Sequence, residues 1–150
     1  MKKLAIFFLC FLTFVNPALI TDANSVIASD IKLPDDIVIK TPDQTVPKEL
    51  AAFSGKWAGS WDKVLNHILI VEEVRQTDAL VVYATGEAPV WNIHESQWRR
   101  VKGEFINGKL VIKFPRRQVT VTYSMKNGEL DGIYEGPRIY SKIKMSPVKE

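Results

Sequence analysis

Cysteine is nearly absent from this chain. The 150 residues contain one, Cys10, and it lies in an apolar N-terminal run. If that run is removed as a leader, no thiol remains, which excludes a disulfide framework, a thiolate metal site and a cysteine nucleophile. Histidine is scarce too. His67 and His94 lie far apart in sequence and lack metal-ligand spacing. There is no Gly-x-Ser-x-Gly elbow and no phosphate-binding loop. With no catalytic constellation recognisable, the chain is not read as an enzyme, and no cofactor or metal is expected. Charge of one sign is also lacking: 20 basic residues face 17 acidic ones, a net +3. The basic clusters Arg99-Arg100-Lys102 and Arg116-Arg117 are short and suit solvated strand faces, so nucleic acid is not an expected partner. Finally, no apolar run reaches the roughly 20 residues that a spanning helix needs.

The longest apolar run is Leu4–Val15, preceded by Met1-Lys2-Lys3 and followed by small residues at Ala18, Ala23 and Ala28. Basic start, apolar centre and small-residue exit together predict a cleaved signal peptide over 1–23, with cleavage after Ala23 or Ala28. Cys10 is preceded by Leu9 and sits within the run, which does not fit a lipoprotein site. A short Lys-Lys leader and a cysteine-free mature chain point to a bacterial protein of the periplasm or medium. Residues 24–47 carry Pro34, Pro42 and Pro47 among several aspartates. They read as a flexible or extended arm, either a mobile linker or a strand docked at 36–40. Pro47 then opens one helical turn, from which Leu50 and Phe53 can plug an adjacent core.

From residue 55 the pattern is that of strands. Gly55, Trp57, Gly59 and Trp61 share one face of the first. Two indoles supply a large apolar load, and the glycines leave room where another backbone comes close. Leu65–Val74 and Asp78–Gly86 are apolar at their centres without clean alternation, which predicts cover on both faces. The longest interruption is Glu87–Gln97. Asn107-Gly108 and Asn127-Gly128 each sit between β runs and predict two-residue hairpins. Leu110, Ile112 and Phe114 share a face, as do Val119, Val121, Tyr123 and Met125, and Ile139, Ser141, Ile143 and Met145. The count is eight strands, from 55–61 to 138–145, with no helix of useful length. The fold class is therefore all-β: an eight-stranded antiparallel up-and-down barrel over 48–146, with a polar tail at 147–150.

Gly55-x-Trp57, behind one helical turn and ahead of an eight-strand meander, resembles the opening of the lipocalin and avidin group of barrels, the calycins. The resemblance implies that Trp57 packs at a closed barrel end, with a basic residue, Arg138 or Lys144, lying across it. The longer Gly55-x-Trp57-x-Gly59 is also similar to haem-binding nitrobindin-type barrels, which use a late histidine as iron ligand. No histidine follows His94, so haem is not expected here. The second lipocalin motif, Thr-Asp-Tyr, is missing, as is any disulfide. The likeness covers the topology of 47–146 but few residues.

Two functions follow. An eight-stranded interior holds one small ligand or is filled by side chains. If hollow, the barrel binds a small apolar or amphipathic ligand, with Trp61, Tyr83, Tyr123 and Tyr134 lining it. Trp91, His94 and Trp98 would then stand at the mouth, beside Arg99 and Arg100. If packed, it acts through its surface as an accessory or inhibitor of a periplasmic protein, with that rim and the 24–47 arm as contacts.

Overall fold

A computed structural model describes residues 31–149. The leader expected over 1–23 lies outside them, as does the first part of the arm. Within them the chain forms a short helix, α1 (Lys48–Ala51), and eight strands: β1 (Gly55–Trp61), β2 (Leu65–Val74), β3 (Asp78–Thr85), β4 (Gln97–Ile106), β5 (Lys109–Phe114), β6 (Val119–Lys126), β7 (Glu129–Gly136) and β8 (Ile139–Pro147). Each strand pairs antiparallel with the next, and β8 returns to β1, closing an up-and-down barrel. Among the described residues no helix is long and apolar enough to cross a membrane.

Local chemistry explains the order. At Asn107-Gly108 and Asn127-Gly128 both residues have positive φ, the geometry of a type I′ turn. Gly59 faces the barrel interior opposite Met145, and a Cβ there would come within 2.4 Å of the Lys144 carbonyl oxygen. Only glycine lets β1 approach β8 closely enough for closure. Alternation then sorts the side chains. Trp57, Trp61, Leu69, Leu110, Ile112, Tyr123, Leu130 and Met145 are buried in one interior core.

The two ends of the barrel differ. Phe53, wholly buried, follows α1 and packs edge-on against Phe105, with ring centroids 5.4 Å apart. Together with Leu50 it plugs the end where the Asn-Gly hairpins turn. Trp57 packs there as the calycin likeness implies, and its Nε1 donates to the Phe53 carbonyl at 2.9 Å. The basic residue implied by that likeness does not lie across it. Arg138 is exposed in the β7–β8 turn at the opposite end, and Lys144 points outward to Glu129 at 3.0 Å. Two features of β8 account for this. Its outward positions carry the lysines, and Trp57 faces Pro147 in the register.

The double cover predicted for β2 and β3 has a clear source. Ala58, Ile68, Ile70, Val82 and Ala84 are buried on the outer face beneath Ile31, Leu33, Ile37 and Val148. Residues 31–40 are thus docked, although they form no strand of the sheet. Lys40 N–H donates to the Glu72 carbonyl at 2.7 Å, and Lys32 N–H to Ser96 Oγ at 2.8 Å. Glu72, only 4% exposed, accepts from Arg100 Nε at 2.7 Å and from Val38 N–H at 3.3 Å. Arg100 reaches on to Asp36 at 2.9 Å. This clasp removes Arg100 from the mouth, where the sequence had placed it. The expected tail is also shorter: Pro147 ends β8, and Val148 N–H bonds the Lys56 carbonyl at 2.8 Å.

Candidate functional site

The end opposite α1 is open. The strand ends at Trp61, Leu65, Thr85, Gln97, Phe114 and Ile139 surround a cavity of about 270 Å³. Two of its connections, β3–β4 and β5–β6, are longer than the hairpins at the closed end. Between β3 and β4 the chain makes a one-bridge loop, with Ala88 and Ile93 exchanging backbone hydrogen bonds around a 3₁₀ turn at Pro89–Trp91. Asn92 takes the left-handed conformation that closes this turn. Positions 91 and 93 therefore face inward, and both Trp91 and Ile93 line the cavity. The β5–β6 connection is a second 3₁₀ turn, Pro115–Arg117, which sets Arg117 at the mouth.

Of the residues that the sequence nominated, Trp61, Tyr83, Trp91, Trp98 and Tyr134 border this cavity. Trp61 meets Tyr134 edge-on at 5.9 Å, and Tyr83 meets Phe114 in the same way at 5.4 Å. Trp98 is 42% exposed and sits opposite Ala84, an outer-face residue, so it forms the edge of the site more than its wall. The other two do not join. Tyr123 is wholly buried deeper in the barrel, and its hydroxyl bonds His67 Nε2 at 2.8 Å. His94 is exposed on the loop, its Nε2 beside Asn92 Oδ1 at 3.0 Å. The alternation that turns Trp91 and Ile93 inward turns His94 out.

His67 separates the packed half from the open half. Its Nδ1 lies 2.7 Å from the Ala84 carbonyl, which can only accept, so Nδ1 carries the proton and Nε2 accepts from Tyr123. Burial lowers its pKa to about 3, opposed by the hydrogen bond it donates to the Ala84 carbonyl. The ring is neutral, locked at both nitrogens and tilted by 40° against Tyr83, with centroids 4.2 Å apart. Burial likewise pushes the Tyr83 phenol up, with Tyr134 adding to the rise and Arg117 opposing it. The floor of the cavity is therefore uncharged.

Two polar atoms of the wall are buried without a hydrogen-bond partner among the described residues, Trp61 Nε1 and Ser141 Oγ. Tyr83 lies near the Trp61 indole, but no bond of acceptable geometry joins them. Sequence reasoning missed Leu65, Thr85, Ile93, Gln97, Phe114, Arg117, Ile139 and Ser141 as site residues. The inward positions of Phe114, Ile139 and Ser141 were readable from alternation. Their height in the barrel was not. No protein-family model, curated protein or solved structure matches this chain.

Proposed function

We propose that the protein is an exported binding protein that holds one small apolar or amphipathic molecule in the open end of its barrel. The observation that carries this reading is the cavity itself, walled by Trp61, Tyr83, Trp91, Phe114 and Tyr134 within an otherwise close-packed barrel. Ligand sites are concave and mostly apolar, with few polar groups. The volume sets the scale. A cavity of about 150 Å³ holds benzene, so about 270 Å³ suits one ring with substituents, roughly 10–13 non-hydrogen atoms. Export rests on the leader-like residues 1–23. A role in binding, as opposed to catalysis, is supported by the two histidines: one is neutral and doubly bonded beneath the cavity, and the other faces solvent.

The exposed apolar rim favours the second reading, in which this end contacts a periplasmic protein. Val90 is 77% and Tyr140 57% exposed beside the mouth. Tryptophan fluorescence of the mature protein against a panel of single-ring and short-chain ligands, with native mass spectrometry of the same sample, separates the two. Saturable quenching with a bound mass supports the ligand reading. A flat response across the panel with no bound mass overturns it in favour of the surface.

A further inference from the structure

We infer that the ligand is an organic anion, its apolar body lying between Trp61, Tyr83 and Phe114 and its charged group held at the mouth by Arg99 and Arg117. This rests on the ligand-binding reading above and deepens it.

The register places Arg99 opposite Tyr83, and cross-strand partners share a face. Tyr83 faces the interior, so Arg99 emerges on the inner side of β4 and lines the cavity, whereas its neighbour Arg100 turns outward to Glu72. Arg117 reaches the cavity from the Pro115–Arg117 turn between β5 and β6, the next connection around the rim from the start of β4. The two cations thus border one opening, one from a strand and one from a turn.

Among the described residues Arg99, Arg116, Arg117 and Arg138 form no ion pair, and of these four only Arg99 and Arg117 line the cavity. Arg75 is tied to Glu73 and Asp78, and Arg100 to Glu72 and Asp36. Arg99 and Arg117 lie too far from any carboxylate among the described residues to form an ion pair, and no Asp or Glu lines the cavity. An arginine above an apolar wall is less screened than one in open solvent. Its planar fork matches a carboxylate or phosphate with two parallel hydrogen bonds. The cavity has no carboxylate to pair a cationic ligand, and the two arginines at the mouth oppose the attraction that its ring faces hold for cations; a neutral ligand is indifferent to the mouth. The arrangement therefore selects by charge at the opening and by size inside.

The test uses matched probes: 4-phenylbutyrate, 4-phenyl-1-butanol and 4-phenylbutylamine, which share one body and differ in charge. Each is titrated into the mature protein and into Arg99→Gln, Arg117→Gln and the double variant, with Arg116→Gln as a control outside the cavity. Circular dichroism shows that each variant folds. The acid is expected to bind about 10-fold more tightly than the alcohol, and the amine most weakly. Each single substitution should weaken the acid by about 3- to 10-fold, leave the alcohol within about 2-fold, and leave no preference in the double variant. Raising salt to about 1 M should weaken the acid alone. Phenyl phosphate in place of the acid distinguishes a carboxylate-specific mouth from a general anion site, and tighter binding of either supports the inference. If acid and alcohol bind alike, or the arginine variants weaken both equally, the inference is overturned while the cavity reading stands. If no probe binds at all, the cavity reading falls and this inference with it.

Discussion

Trp57 and Trp61 lie four residues apart on the same face of the same strand, yet they end in opposite circumstances. The indole of Trp57 is bonded to the Phe53 carbonyl and enclosed by the plug behind α1. The indole of Trp61 has no partner for its N–H among the described residues and forms part of a cavity wall. The contrast runs through the whole barrel. At the closed end the strands join by two Asn-Gly turns and the three-residue link 75–77, and their side chains fill the interior. At the open end a bridged loop built on one 3₁₀ turn, and a second 3₁₀ turn, stand around about 270 Å³ of space. A rigid, filled half can hold the other half open. A side chain at the closed end is therefore expected to matter for stability, and one at the open end for binding.

The largest effect should come from the plug. Phe53→Ala is expected to cost about 3–5 kcal/mol in urea denaturation, the usual range for a fully buried phenylalanine. Phe114→Ala, at the half-buried open end, should cost about 1 kcal/mol and weaken ligand binding instead. Equal costs would break the division.

The outer clasp comes next. Arg100→Ala leaves the buried Glu72 carboxylate without its cation, at a cost of about 2–3 kcal/mol, toward the low end for buried pairs because Arg100 is partly exposed. Limited proteolysis within residues 31–40 should accelerate, and ligand affinity should not change. A lost affinity would show that the arm and the cavity are one unit.

His67 tests the boundary between the halves. Its folded-state pKa near 3 lies below the ordinary 6.5, so the unfolded chain takes up a proton first as pH falls. Its contribution is complete above pH 6.5 and declines between 6.5 and about 3, by about 1.4 kcal/mol per unit. Asp36 and Glu129, held low by hydrogen bonds from Arg100 and Lys144, add their own losses only below about pH 4.5. Urea midpoints at pH 7.5 and 5 should therefore differ in the native chain and converge in His67→Gln. An unchanged difference would contradict the locked neutral ring.

The smallest effect is the sharpest comparison. Trp57→Phe breaks a buried hydrogen bond and strands the Phe53 carbonyl, costing about 1–2 kcal/mol beyond the change in packing. Trp61→Phe loses no such bond and should cost less by about that amount. Chemical denaturation of both variants decides it.

Much of this fold was legible because β structure writes its faces with a period of two. Phe114, Tyr123, Ser141 and Met145 all read as inward, and each is. What alternation omits is depth. Tyr83 and Tyr123 both face the interior, but barrel stagger places Tyr83 in the cavity wall and Tyr123 beneath it, against His67. The docked arm was equally hidden. Asp36 and Arg100 meet across 64 positions, and neither residue type announces the other. Of the cavity's cations, Arg99 was placed at the mouth together with Arg100, and Arg117 was read only as part of a short basic cluster. It took the β3–β4 register to turn Arg99 inward and Arg100 out.

The most direct test is a ¹H–¹⁵N spectrum of the mature protein, following the indole N–H signals of its 4 tryptophans as 4-phenylbutyrate is added. The account predicts saturable shifts for Trp61 and Trp91 and a stationary signal for Trp57. If Trp57 moves with them, or if Trp61 does not move at the concentrations that quench fluorescence, the open end is not the site and the division between the two halves is wrong.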